Sequence, residues 1–139
     1  MSNDVAWAVT RNSSCYLLKK RNCPKPFSTE PMNLTNKHSQ RYSGLCNSKA
    51  IGVSFGDKGQ GFQVTMKKPK CANKPAKSTT ASTLKSGPRR SVPVLKRLIA
   101  GQRYRKDLTT AACKRASAIC RSQKPLPKRK GAAKATKSD

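Results

Sequence analysis

Two short runs, Arg41-Tyr42 and Arg103-Tyr104-Arg105, set a guanidinium fork beside a phenol ring. The fork matches phosphate oxygens in paired charge-assisted hydrogen bonds, and the ring can stack on an unpaired base. Tyr104, just ahead of an expected helix, could equally serve as a packing staple. Around these runs lie 31 Lys and Arg against 5 Asp and Glu, a formal net charge of +26. The acids Asp4, Glu30, Asp57, Asp107 and Asp139 are too scattered to offset that charge by local ion pairing. Such an excess repels itself in a compact chain and calls for a polyanion, of which nucleic acid is the obvious candidate. The residues expected to meet RNA, mostly at phosphate and sugar, are Arg11, Lys19, Lys20, Arg21, Arg41, Tyr42, Lys67, Lys68, Arg89, Arg90, Arg97, Arg103, Tyr104, Arg105, Lys114, Arg115, Arg121, Lys124, Arg129 and Lys130.

The same inventory argues against other chemistries. One histidine, His38, and a few dispersed carboxylates supply no base beside a nucleophile or a paired acid, so no catalytic residue and no small-molecule substrate is expected. The cysteines Cys15, Cys23, Cys46, Cys71, Cys113 and Cys120 contain no Cys-x-x-Cys pair, the spacing that most strongly signals zinc. Neither a metal nor a cofactor is expected, and free thiols are. No run approaches the roughly 18 apolar residues of a membrane span, and the first residues lack a basic segment followed by a signal-type apolar stretch. A soluble, intracellular protein without a membrane partner is the expectation.

The elements that must position these cations read as an α+β architecture. A small N-terminal antiparallel β domain (1–68) with a long basic loop (21–44) is followed by a basic linker (69–90), a helical segment (91–122) with two helices, and an extended basic tail (123–139). Val5, Trp7 and Val9 alternate onto one face of a strand, with Arg11-Asn12-Ser13-Ser14 as the turn into a second strand at Cys15 to Lys19; Trp7 is then a core anchor. The loop, carrying Pro24, Pro26 and Pro31, shows no period and is expected to order on RNA. Ile51, Val53 and Phe55, then Phe62, Val64 and Met66, alternate on either side of Gly56-Asp57-Lys58-Gly59-Gln60-Gly61, which predicts a hairpin. That glycine-rich turn lacks the Gly-Lys-Ser/Thr ending of a phosphate-cradling loop.

The Lys-, Pro-, Ser- and Thr-rich linker is expected to hold one helical turn near Thr80 to Lys85. A helix from an Ser91 N-cap to Gly101 would bury Val92, Leu95, Leu98 and Ile99. A second, from an Asp107 N-cap to Ser122, would turn Leu108, Ala112, Ala116, Ile119 and Cys120 inward, and Lys114 with Arg121 outward to straddle phosphates. The tail could reach about 55 Å when stretched. Its Pro-Lys-Arg-Lys at 127–130 looks like a nuclear import signal.

Several stretches resemble the eukaryotic large-subunit ribosomal proteins of the L twenty-eight family. They are Trp7 with Val9-Thr10-Arg11-Asn12, Phe27-Ser28-Thr29-Glu30-Pro31 with Asn33-Leu34, Arg41-Tyr42-Ser43-Gly44-Leu45 and Ile51-Gly52-Val53. Most specific are Tyr104-Arg105-Lys106-Asp107-Leu108, Lys114-Arg115-Ala116-Ser117-Ala118-Ile119 and Arg121-Ser122-Gln123-Lys124-Pro125. The resemblance implies a structural, non-catalytic ribosome constituent docked on large-subunit ribosomal RNA and meeting neighbouring large-subunit proteins. It would work in the cytoplasmic ribosome after nuclear and nucleolar transit. A nucleolar assembly factor with a related, cysteine-bearing N-terminal domain is an alternative reading, and a chromatin-type polyanion binder another.

Overall fold

In the computed structural model, residues 2–56 and 59–125 are described. The first element is not a strand but a helix, α1 (Asn3–Thr10). Ser2 caps it by accepting the Val5 N–H on its hydroxyl at 3.3 Å, and Asp4 sits in the first turn where the helix dipole favours a negative charge. These capping signals outweigh the two-residue alternation of Val5, Trp7 and Val9. None of the helix is buried: Val5 and Val9 are 53% and 67% exposed, and Trp7, expected as a core anchor, is only half-buried and stands outside the core.

The second expected strand survives as β1 (Leu17–Leu18), but it pairs antiparallel with β2 (Phe27–Ser28) instead of with the N-terminal segment. Beyond β2 the chain folds back, with Ser28 N–H donating to Asn36 carbonyl at 2.8 Å and Phe27 bridging to Lys37. The 21–44 segment is thus organised by its own contacts. Ser28, Glu30, Asn33 and Ser43 are buried polar residues within it. The Asn33 amide donates to Lys37 carbonyl at 2.9 Å while its oxygen accepts from Thr35 N–H at 3.1 Å.

The predicted hairpin is present as β3 (Ile51–Phe55) and β4 (Phe62–Lys67), in register Val53 opposite Val64. Ile51, Val53, Phe62 and Val64 are buried by their inward alternation, although Phe55, at the strand end, is 61% exposed. Residues 57 and 58 of the turn lie outside the described set. Gly61 closes it with φ at 71°, and a Cβ there would overlap the Leu84 carbonyl.

Where a helical turn was expected, β5 (Thr79–Leu84) adds a third strand antiparallel to β4, Val64 opposite Ser82. Its Thr and Ser content suits an edge strand. Short 3-10 turns at Pro69–Cys71 and Pro75–Lys77 lead into it.

Helix α2 (Pro88–Gly101) begins four residues earlier than expected, with Pro88 in its opening turn and Gly87 in place of Ser91 as N-cap. Ser91 is therefore not the cap; it is buried, and its hydroxyl donates back to Ser86 carbonyl at 2.5 Å. The helix ends at Gly101 as expected, though Gly101 does not itself take the left-handed conformation that closes it. That conformation falls to Arg103, φ 45°, while Arg103 N–H bonds Ala100 carbonyl and Tyr104 N–H bonds Ile99 carbonyl, both at 3.1 Å. This hydrogen-bond pair closes helices that usually carry glycine at that position. Arg103→Gly is expected to raise stability by about 0.5–1 kcal/mol, read as a higher urea midpoint.

A 3-10 turn at Lys106–Leu108 precedes α3 (Thr109–Ser122), so Asp107 is not an N-cap. The inward set is as expected: Leu108, Ala112, Ala116, Ile119 and Cys120 are all buried. They join Leu95 and Ile99 of α2, Leu34, and the inner face of the sheet in one core. After α3, the Gln123 amide donates to Gly61 carbonyl at 2.6 Å and accepts from Gly61 N–H at 3.0 Å, clasping the hairpin turn.

Candidate nucleic-acid interface

Packing α2 on α3 leaves an open groove of about 760 Å³ between them. Lys96 of α2 lines it together with Lys114 and Arg121 of α3, and Thr109 and Ser117 of α3 line it too. No carboxylate lines this groove. A second groove, of about 410 Å³, is lined by Arg41, Tyr42, Asp107, Thr110, Lys114 and Arg115, among others. Thr110 and Lys114 line both, so the two join into one cationic track from Arg121 to Arg41.

At the Arg41 end the two arginine–tyrosine runs converge on Asp107. Arg105 Nε and Nη2 donate to the two carboxylate oxygens at 2.9 and 2.7 Å, a fork-to-fork pair, and Arg41 Nε lies 3.5 Å from the same carboxylate. Arg41 Nη2 also donates to Asp107 carbonyl at 3.1 Å, and Arg105 Nη2 to Arg41 carbonyl at 3.0 Å. These are the only acid–base ion pairs among the described residues.

The Arg105 hydrogen bonds hold the Asp107 carboxyl below the usual carboxylate range, with the charges of Arg105 and Arg41 adding to the effect. A carboxyl depressed by folding stabilises the fold above its unfolded value, near pH 4, and that contribution is lost as pH falls. Asp107→Asn is therefore expected to flatten the decline in urea midpoint between about pH 6 and about pH 3. An unchanged slope would mean that the pair contributes nothing to stability.

Tyr104 takes the packing role. Its hydroxyl accepts from Ala50 N–H at 3.2 Å and donates its proton to the Lys67 carbonyl, with the Ala50 carbonyl 3.3 Å away. Burial pushes its phenol above the ordinary tyrosine value. Tyr42 also packs against the core, with the Arg41 guanidinium 5.8 Å from its ring centre.

Several expected RNA contacts direct their protons into the protein. Arg115 Nε donates to Val53 carbonyl at 2.8 Å, and its Nη1 reaches the carbonyls of Asn33 and Leu34, both at 3.3 Å, tying α3 to β3 and to the polar loop. Lys67 Nζ reaches the carbonyls of Gly44 and Asn47 at 3.2 and 3.1 Å. Arg105 donates to Lys49 carbonyl as well as to Asp107.

The remaining expected contacts are spread over the surface. Arg11 and Lys19 line a pocket with Trp7 and His38; Lys20 Nζ lies 5.9 Å from the Phe27 ring; Arg21 is exposed. Lys68 borders a mainly apolar pocket with Met66, Leu98 and Tyr104. Arg89 and Arg90 occupy the first turn of α2, where no acid offsets their charge or the positive end of the helix dipole. Arg97 and Arg103 are exposed, and Lys124 lines a pocket together with Lys85 and the Gly59 to Gly61 end of the hairpin turn. Arg129 and Lys130 fall outside the described residues. Lys96 was missed as a site residue, since only the packing of α2 on α3 brings it to Lys114 and Arg121.

Among the described residues no three His, Cys, Asp or Glu side chains gather as a metal cluster, and the six cysteines are free. The profile described as the ribosomal L28e protein family matches residues 5–122, from α1 to the end of α3. The chain belongs to the ribosomal L28e protein family. It is a ribosomal protein, not an enzyme.

Among its L28e relatives is the large ribosomal subunit protein eL28 of Schizosaccharomyces pombe, 36% identical over 127 residues that span 90% of this chain and 95% of the relative. The Caenorhabditis elegans large ribosomal subunit protein eL28 is 42% identical over 123 residues, 88% of this chain and 91% of the relative. A shorter match to the Dictyostelium discoideum eL28, 37% over 54 residues, covers 39% of each chain.

Proposed function

We propose that this L28e protein is a structural constituent of the large ribosomal subunit, stabilising ribosomal RNA chiefly through phosphate contacts. The observation that carries the reading is the acid-poor track from Arg121 through Lys114 and Lys96 to Arg41. A groove with cations on both walls suits a sugar–phosphate backbone, whose contacts position without reading sequence. Arg11, Lys19, Lys20, Arg21, Lys68, Arg89, Arg90, Arg97, Arg103, Lys124, Arg129 and Lys130 extend the contacts to other RNA segments. Arg115, Lys67, Arg105 and Tyr104 act mainly by holding the surface in shape.

Neighbouring large-subunit proteins are the other partners, and the working location is the cytoplasmic ribosome after nucleolar assembly. Sedimentation of the tagged protein from a cell extract tests this. Co-migration with mature large subunits and polysomes, resisting a moderate salt wash, is expected. Confinement to nuclear pre-ribosomal particles would favour an assembly factor, and absence from both would overturn the ribosomal reading.

A further inference from the structure

Trp7, half-buried on a helix that contributes nothing to the core, is better explained by a ligand than by packing. Its indole lies 4.7 Å from the His38 ring, centre to centre, at an interplanar angle of 37°. His38 is itself fixed: its Nε2 is 2.7 Å from Arg11 carbonyl, and its backbone N–H donates to Pro26 carbonyl at 3.2 Å. The two rings line a pocket of about 550 Å³ together with Arg11, Lys19, Asn12 and Ser39. The Ser39 hydroxyl oxygen is shielded and has no hydrogen-bond partner in the chain, the one such buried side-chain atom among the described residues.

We propose that this pocket receives a single unpaired nucleobase of RNA, stacked on the Trp7–His38 pair, with its flanking phosphates on Arg11 and Lys19. The assignment rests on the RNA-binding reading and adds a base site to it. Preset aromatic rings offer a face to any base, and a side-chain amide such as that of Asn12 can meet a base edge. Two cations at the rim suit the phosphates on either side of an extruded nucleotide. An acidic peptide would use the cations but gain little from the rings.

Trp7 is the only tryptophan in the chain, so its fluorescence reports on this pocket alone. The full-length protein is titrated with single-stranded oligoadenylate and with an abasic ribose–phosphate oligomer of equal length and charge, at one salt concentration. Anisotropy of end-labelled oligomers gives total binding in parallel. Oligoadenylate should quench Trp7 and the abasic oligomer should not. Trp7→Ala should lower oligoadenylate affinity about tenfold, Trp7→Phe should restore much of it, and abasic affinity should stay unchanged.

Equal quenching by both oligomers, or binding of both by anisotropy with a silent tryptophan, would overturn the base site and leave the phosphate track intact. Failure of both oligomers to bind would overturn both readings. If Trp7→Ala loses its far-ultraviolet helix signal, the contrast between the two oligomers on the unmodified protein decides.

Discussion

Replacing Lys96, Lys114 and Arg121 together by alanine is expected to weaken binding to large-subunit ribosomal RNA by on the order of 100-fold at about 0.15 M salt. Each cation that neutralises a phosphate contributes about 0.7–0.9 to the slope of log affinity against log salt, so the slope should fall by about 2–3. All three side chains are exposed and line one groove, and no ion pair of theirs is lost with them. The variant should therefore fold with unchanged urea midpoint. A matching triple change at Lys70, Lys74 and Lys77, exposed or half-exposed around the turns before β5, controls for net charge. Equal losses in the two triples would mean that total charge, not the groove, drives binding.

Glu30→Ala is expected to lower stability by about 3 kcal/mol, near 100-fold in the folding equilibrium. Glu30 is 5% exposed, and its carboxyl oxygens accept from the Ser43 hydroxyl at 3.3 and 3.2 Å and from Gly44 N–H at 2.8 Å. Alanine would leave both donors buried without a partner and open a void beside them. The backbone there has little room to rearrange, because a Cβ on Gly44 would already stand 2.5 Å from Met32 Cβ. Since Arg41 and Tyr42 directly precede Ser43, the second groove should loosen with this network. Urea unfolding measures the loss, and Glu30→Gln, which keeps one acceptor, should fall between the two. A Glu30→Ala midpoint matching that of the unmodified protein would make the buried network energetically idle.

The parts of the fold readable from sequence are those whose own periodicity determines their environment. β3 and β4 alternate, and α3 carries its apolar residues on one stripe, so the inward side chains of both can be named in advance, except for Phe55, which the strand end leaves exposed. β5 cannot be read that way: Thr-Thr-Ala-Ser-Thr-Leu has no apolar period, and it becomes a strand because β4 offers it an edge. The α1 segment misleads in the opposite sense, since its alternation is real but its cap decides. The polar loop looks unstructured because Ser28, Glu30, Asn33 and Ser43 are buried by hydrogen bonding and not by hydrophobicity.

The candidate site follows the same division. That the surface binds a polyanion is legible from charge alone, and Lys114 with Arg121 follow from helical spacing. Which arginines face outward is not legible, because Arg115 and Arg121 differ only in whether β3 carbonyls or open groove lie opposite them. Lys96 and the Asp107 cluster depend on contacts between segments far apart in sequence.

The shared core has a consequence for how the protein is made. Ile51, Val53, Phe62 and Val64 are covered by side chains that run on to Ile119 and Cys120. While the chain is being synthesised, the inner face of the sheet therefore lacks the part of its cover that α3 supplies until that helix has emerged. At about 5–20 residues per second, the segment from β4 to Cys120 takes several seconds to make. Throughout that interval an apolar sheet and a dense array of cations are exposed together in the presence of abundant RNA. Premature capture by the wrong polyanion, more than spontaneous unfolding of the finished protein, is the hazard such a nascent chain faces.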